Sequence, residues 1–90
     1  MYKVGDKVWI RSDLNELSES YLGIYINYKM RKYIGQCFVI YKIRLDGIYI
    51  LINDEGKIVG SGECLMQEGW HWTHKCFDNL KLLKEFINGL

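Results

Sequence analysis

The chain has 90 residues, 49% hydrophobic, 14% aromatic and 26% charged, with a net charge of +1 and no proline. That length holds one small domain, which buries about 60 to 65% of its unfolded surface, so each large apolar side chain counts. The composition excludes a disordered chain, the near-neutral charge argues against a strongly basic nucleic-acid binder, and no apolar run approaches the roughly 20 residues that span a bilayer.

In chain order, Gly5-Asp6 is a turn that leads into a strand over residues 7–11. Val8 and Ile10 face one side of it and Lys7, Trp9 and Arg11 the other. Residues 12–22 read as a long loop holding one or two helical turns, with Leu14, Leu17 and Tyr21 at helical spacing and Asp13 as an N-cap. Residues 23–26 form a short extended piece. Asn27 then offers a second cap for a single helical turn over 28–33 that ends near Gly35. Residues 36–43, rich in Val, Ile, Phe and Tyr, are the clearest strand, and the broken alternation between Ile40 and Ile43 predicts a bulge or two-sided burial.

Asp46-Gly47 is the strongest hairpin signal. Beyond it Ile48, Ile50 and Ile52 share one face of a strand, with Tyr49 and Leu51 opposite. Ile50 and Val39 are expected in the core, where truncation costs about 1 to 4 kcal/mol. A turn over 53–56 leads to a short strand at 57–59, interrupted by Gly60-Ser61-Gly62. Residues 63–69 fit either a loop or a bulged strand. Trp70 and Trp72 point the same way on an extended segment, with Trp72 expected inside and Trp9 or Trp70 partly exposed. Thr73 caps a turn beginning at His74. In the tail, Cys76, Phe77, Leu80, Leu83, Phe86, Ile87 and Leu90 recur at helical spacing, which favours an amphipathic helix stopped by Gly89; a closing strand over 79–83 is the alternative.

Short strands, close turns and a little helix predict a mainly β domain over residues 1–90, a small, strongly bent antiparallel barrel with a helical or strand-like tail. Closure removes exposed strand edges, which protects a small β domain from edge-to-edge aggregation. Three cysteines, an odd number, and a charged start without a signal peptide point to the cytoplasm.

Two surfaces are candidates for binding. Tyr28, Lys29, Arg31, Lys32 and Tyr33 form the densest basic-aromatic cluster, suited to a small anionic ligand such as a nucleotide and less to nucleic acid. The plainer reading is a solvated turn with Met30 and Tyr33 tucked inward. Trp9, Tyr49, Trp70 and Trp72 offer one aromatic groove for a protein partner, against the plainer reading that at least two of these rings are core. Cys64, His71, His74 and Cys76 have the residue types of a zinc site without the spacing of a zinc knuckle, so no metal or other cofactor is assigned. Cys76 with His71 or His74 resembles a nucleophile and its base, but no oxyanion hole or orienting third residue accompanies them, and the chain is read as no enzyme. An apolar tail on a small core also makes room for a homodimer.

Val4-Gly5-Asp6-Lys7-Val8 resembles the first strand of many Src-homology-3-like (SH3-like) barrels. Gly23-Ile24-Tyr25-Ile26, then Met30, Tyr33 and Gly35, then Gly47-Ile48-Tyr49 and Trp70-His71-Trp72-Thr73 follow in the order seen in small phage and prophage proteins of Gram-positive bacteria. The resemblance covers most of residues 3–78, and Trp-x-Trp-Thr is its most specific element. It implies an SH3-like barrel of phage or mobile-element origin, without enzyme activity or cofactor. His74, Lys75 and Cys76 depart from the acidic residues and methionine usual after Trp-Thr in that family. Together these readings predict a non-enzymatic binding module that acts on a host protein in the host cytoplasm, with inhibition of a host defence as one outcome.

Overall fold

Alternation at Val8 and Ile10 and the β-branched run after Cys37 build the sheet. In a computed structural model, which describes residues 2–64 and 68–78, strands β1 (Lys7–Trp9), β2 (Cys37–Ile43) and β3 (Tyr49–Ile52) form a three-stranded antiparallel sheet in the order β1-β2-β3. Val8 lies opposite Phe38 and Ile40 opposite Leu51, and these four side chains are buried. The register breaks between Ile40 and Lys42, where the alternation of the sequence fails. The β2–β3 turn closes at Asp46-Gly47: the Gly47 amide donates to the Arg44 carbonyl, and the Ile48 amide approaches the Asp46 carboxylate.

Residues 70–78 run between the two outer strands. Tyr49 and Trp72 exchange backbone hydrogen bonds of 2.7 and 3.2 Å. At the far end Ile10 bridges Phe77, and the Asp78 amide donates to the Trp9 carbonyl. These are single bridges rather than a ladder, so the sheet itself remains open. The 57–59 segment likewise touches β3 through one bridge, Ile52 to Ile58.

Between β1 and β2 lie a 3₁₀ turn (Leu14–Glu16), one turn of helix α1 (Glu19–Leu22) and a second 3₁₀ turn (Met30–Tyr33); a third (His74–Cys76) follows Trp72. Two expected caps take other partners. Asp13 forms a two-pronged ion pair with Arg11 instead of capping, because the guanidinium fork matches a carboxylate better than one amide does. The Thr73 hydroxyl donates to the Leu22 carbonyl, tying the third 3₁₀ turn to α1. Ser18 is the cap that forms, accepting from the Tyr21 amide. Residues 23–26 join no strand.

The core gathers Val8, Ile10, Leu14, Leu22, Met30, Ile40, Leu51, Trp72 and Phe77. Ile50 is completely buried as well, whereas Val39 corrects the sequence reading: its register partners Lys7 and Ile52 place it on the outer face, half-exposed. Gly60 and Gly69 mark where two segments cross. Gly60 has φ +90°, and a Cβ there would stand 2.7 Å from Cγ and 2.8 Å from the backbone nitrogen of Trp70. Gly69 has φ +72°, and its Cβ would press on the Val59 carbonyl and the Ile58 side chain. Only glycine fits either position. The predicted helix or strand over 79–90 lies outside the described residues, as does part of 63–69. Among the described residues no helix is long and apolar enough to cross a membrane.

Candidate functional site

The Met30–Tyr33 turn starts from Asn27, whose side-chain oxygen accepts from the Lys29 and Met30 amides. Three residues per turn stack Met30 and Tyr33 on one side and send Arg31 and Lys32 elsewhere. Met30 is buried. The half-buried Tyr33 ring meets Phe38 edge to face at 5.6 Å and Trp72 at 6.3 Å.

Glu63 organises the surface beside this turn. One carboxylate oxygen pairs with the Lys32 ammonium. The other accepts from the Tyr33 hydroxyl and, at 3.1 Å, from Trp70 Nε1. Lys29 Nζ donates to the Glu63 carbonyl at 3.4 Å. The loop carrying Glu63 is thereby fastened to the 3₁₀ turn, and the rings of Tyr33 and Trp70 are held by their polar tips.

Between the 3₁₀ turn and the 57–63 loop lies a groove of about 380 Å³. Tyr33, Phe38 and Ile58 form its apolar wall, and Asn53, Lys57 and Glu63 its polar edge. Asn53 is fixed because its side-chain oxygen accepts from the Glu55 and Lys57 amides. Lys57 extends into solvent, 3.7 Å from Glu55. Glu63 carried no local signal of this role in the sequence, where it follows Gly60-Ser61-Gly62 in a tight loop; its partners Lys32 and Tyr33 are 31 and 30 residues away.

The predicted site residues are dispersed. Trp9 is half-exposed on the outer face of the sheet, across from Cys37. Tyr49 packs edge to face with Tyr2 at 6.0 Å and Phe77 at 5.3 Å. Trp70 is 7% exposed and Trp72 is fully buried. The four rings expected to share one aromatic groove, Trp9, Tyr49, Trp70 and Trp72, do not line a common open surface: Trp70 and Trp72 are buried, Trp9 lies on the outer face of the sheet, and Tyr49, directly across from Trp72, packs on Tyr2 and Phe77. Trp72 Nε1 is buried and has no hydrogen-bond partner among the described residues. The basic-aromatic cluster also separates: Tyr28 is 77% exposed, Lys32 and Tyr33 join Glu63, and Arg31 lines a different pocket. With Lys32 neutralised by Glu63, these groups do not converge on one anion.

The Cys-His pairing does not assemble a nucleophile. Cys76 is fully buried, burial pushes its thiol up, and its sulfur lies 3.6 Å from the Thr73 hydroxyl. His71 lies 3.4 Å from Arg44, and His74 is exposed. Cys64 donates toward the Gly60 carbonyl at 3.7 Å. Among the described residues no group of three or more His, Cys, Asp or Glu side chains is placed to hold a metal ion. Elsewhere on the surface, the Arg11 guanidinium holds the Asp13 carboxyl below its usual range, and Lys42 does the same for Glu68. No family model matches the chain, and no match was found among curated proteins or solved structures.

Proposed function

We propose that this chain is a non-enzymatic binding module of SH3-like architecture, carried by a phage or mobile element, that engages a host protein in the host cytoplasm and blocks a host process such as defence. The groove beside Glu63 is the docking surface. Its wall of Tyr33, Phe38 and Ile58 takes an apolar side chain of the partner, and Lys57 faces an acidic residue next to it. The observation that carries this reading is the three-donor clasp on Glu63, which holds the groove's edge rigid before any partner arrives. A preformed surface loses little conformational entropy on binding. The path of residues 70–78, tied to β3 at Tyr49 and to the end of β1 at Ile10, supports the barrel reading. The sequence resemblance to phage and prophage proteins supports the origin.

The test is affinity capture from lysate of a Gram-positive host, comparing wild type with Lys57→Glu and Ser61→Glu, both exposed positions lining the groove. Wild type is expected to retain a host protein that both variants lose while keeping the wild-type circular dichroism spectrum. Identical retention by all three would refute the groove as the docking surface.

A further inference from the structure

A second pocket, of about 130 Å³, shares no lining residue with the groove. Its floor is made by Leu14, Leu22 and Ile26, all buried in the core. At its edge stand Glu19, Tyr25 and Arg31. Glu19 and Arg31 are both exposed, and among the described residues neither forms an ion pair with the other or with any third residue. The other two arginines of the chain, Arg11 and Arg44, do have carboxylate partners.

Size and charge together define an occupant. At roughly 30 Å³ per water, the space holds about four waters or one branched aliphatic side chain. It is well below the roughly 300 to 1,000 Å³ of a drug-sized site. An aliphatic acid would satisfy Arg31 and leave Glu19 unmatched, and an aliphatic amine would do the reverse. A molecule that carries one anion and one cation beside a short apolar chain satisfies all three features. We propose that this pocket binds a free α-amino acid with an aliphatic side chain: the side chain enters the Leu14, Leu22 and Ile26 floor, the α-carboxylate meets Arg31, and the α-ammonium meets Glu19. Guanidinium and carboxylate match in geometry, and charge-assisted hydrogen bonds of this kind are the strong ones.

Isothermal titration with leucine, leucinamide and N-acetyl-leucine tests the assignment. Leucine is expected to bind at millimolar concentration or below, and each derivative at least tenfold more weakly, since each lacks one charge. Arg31→Gln should weaken leucine by a similar factor while leaving leucinamide unchanged, because leucinamide offers no carboxylate to lose. Glu19→Gln should do the same for leucine and leave N-acetyl-leucine unchanged. Absence of heat with leucine at millimolar concentration would overturn the proposal. So would equal binding of all three ligands, or leucine binding indifferent to both substitutions. Tight binding of N-acetyl-leucine that depends on Arg31 alone would also overturn it, assigning the pocket to a peptide C-terminus instead. Lys57→Glu should not alter leucine binding, and Arg31→Gln should not alter partner capture, so the two sites fail or stand separately.

Discussion

Replacing Gly60 with alanine probes the crossing that positions both Trp70 and the Glu63 loop. At φ +90° an alanine is strained by about 1 to 2 kcal/mol. Its Cβ would also stand 2.7 Å from Trp70 Cγ and 2.8 Å from the Trp70 backbone nitrogen, so Trp70 and its backbone must shift. Overpacking of this kind costs about 1 to 3 kcal/mol. Stiffening of the unfolded chain offsets about 0.4 to 1 kcal/mol. The net loss is about 2 to 4 kcal/mol, a large part of the roughly 5 to 13 kcal/mol expected of a domain this size. Gly62 is the internal control: its φ is +84°, yet no atom of the described residues lies within 4 Å of a Cβ there, so Gly62→Ala should lose only about 1 kcal/mol. Urea titration followed by tryptophan fluorescence reads the difference. With a slope of about 1 to 1.5 kcal/mol/M, the midpoint should fall by about 1.3 to 4 M for Gly60→Ala and by less than about 1 M for Gly62→Ala. In a Trp70→Leu background Gly60→Ala should cost about 1 kcal/mol less than in wild type, because the two sites share one contact. Equal midpoint shifts for the two glycine variants would refute the reasoning, since backbone conformation alone would then explain both.

Other expectations follow from burial and charge. Glu63→Ala should lower stability by about 1 to 3 kcal/mol in thermal denaturation, because Trp70 Nε1 and the Tyr33 hydroxyl lose their acceptor together. Ile50→Ala should cost about 2 to 5 kcal/mol and Val39→Ala less than about 1 kcal/mol, a contrast that urea midpoints resolve, because only Ile50 is enclosed on all sides. Iodoacetamide at neutral pH should alkylate Cys37 in the folded protein and reach Cys76 only after denaturant is added, as mass spectrometry of the digested protein would show. The raised Cys76 thiol also sets a sign. The unfolded chain ionises first, so stability should fall as pH rises above the unfolded thiol value of about 8.5. Denaturation at pH 7 and pH 9.5 checks this, and Cys76→Ala should flatten that part of the profile.

Features of short range were legible in the residues. Asp46-Gly47 made the β2–β3 hairpin, the failed alternation after Ile40 marked the register break, Val8 and Ile10 turned inward, and Asn27 began the Met30–Tyr33 turn. Each rests on backbone chemistry within a few positions, where turn preference and the two-residue period act without help from the rest of the chain. Asp13 and Thr73 show the limit of that logic. Both are sound caps by type, but the Asp13 carboxylate is taken by a guanidinium fork and the Thr73 hydroxyl is turned to donate to a distant carbonyl.

Sequence alone therefore determined the three strands of the sheet, the hairpin and the inward course of Trp72. Tertiary structure decided which aromatic rings meet, which face of β2 stays wet at Val39, and where the grooves lie. The physical reason is range. A carboxylate at Glu63 collects Lys32 and Tyr33 from about 30 positions earlier, and Arg31 leaves its neighbours to border a pocket floored by Leu14 and Leu22. No local periodicity encodes such meetings; they arise only when the chain has folded back across itself at Gly60 and Gly69.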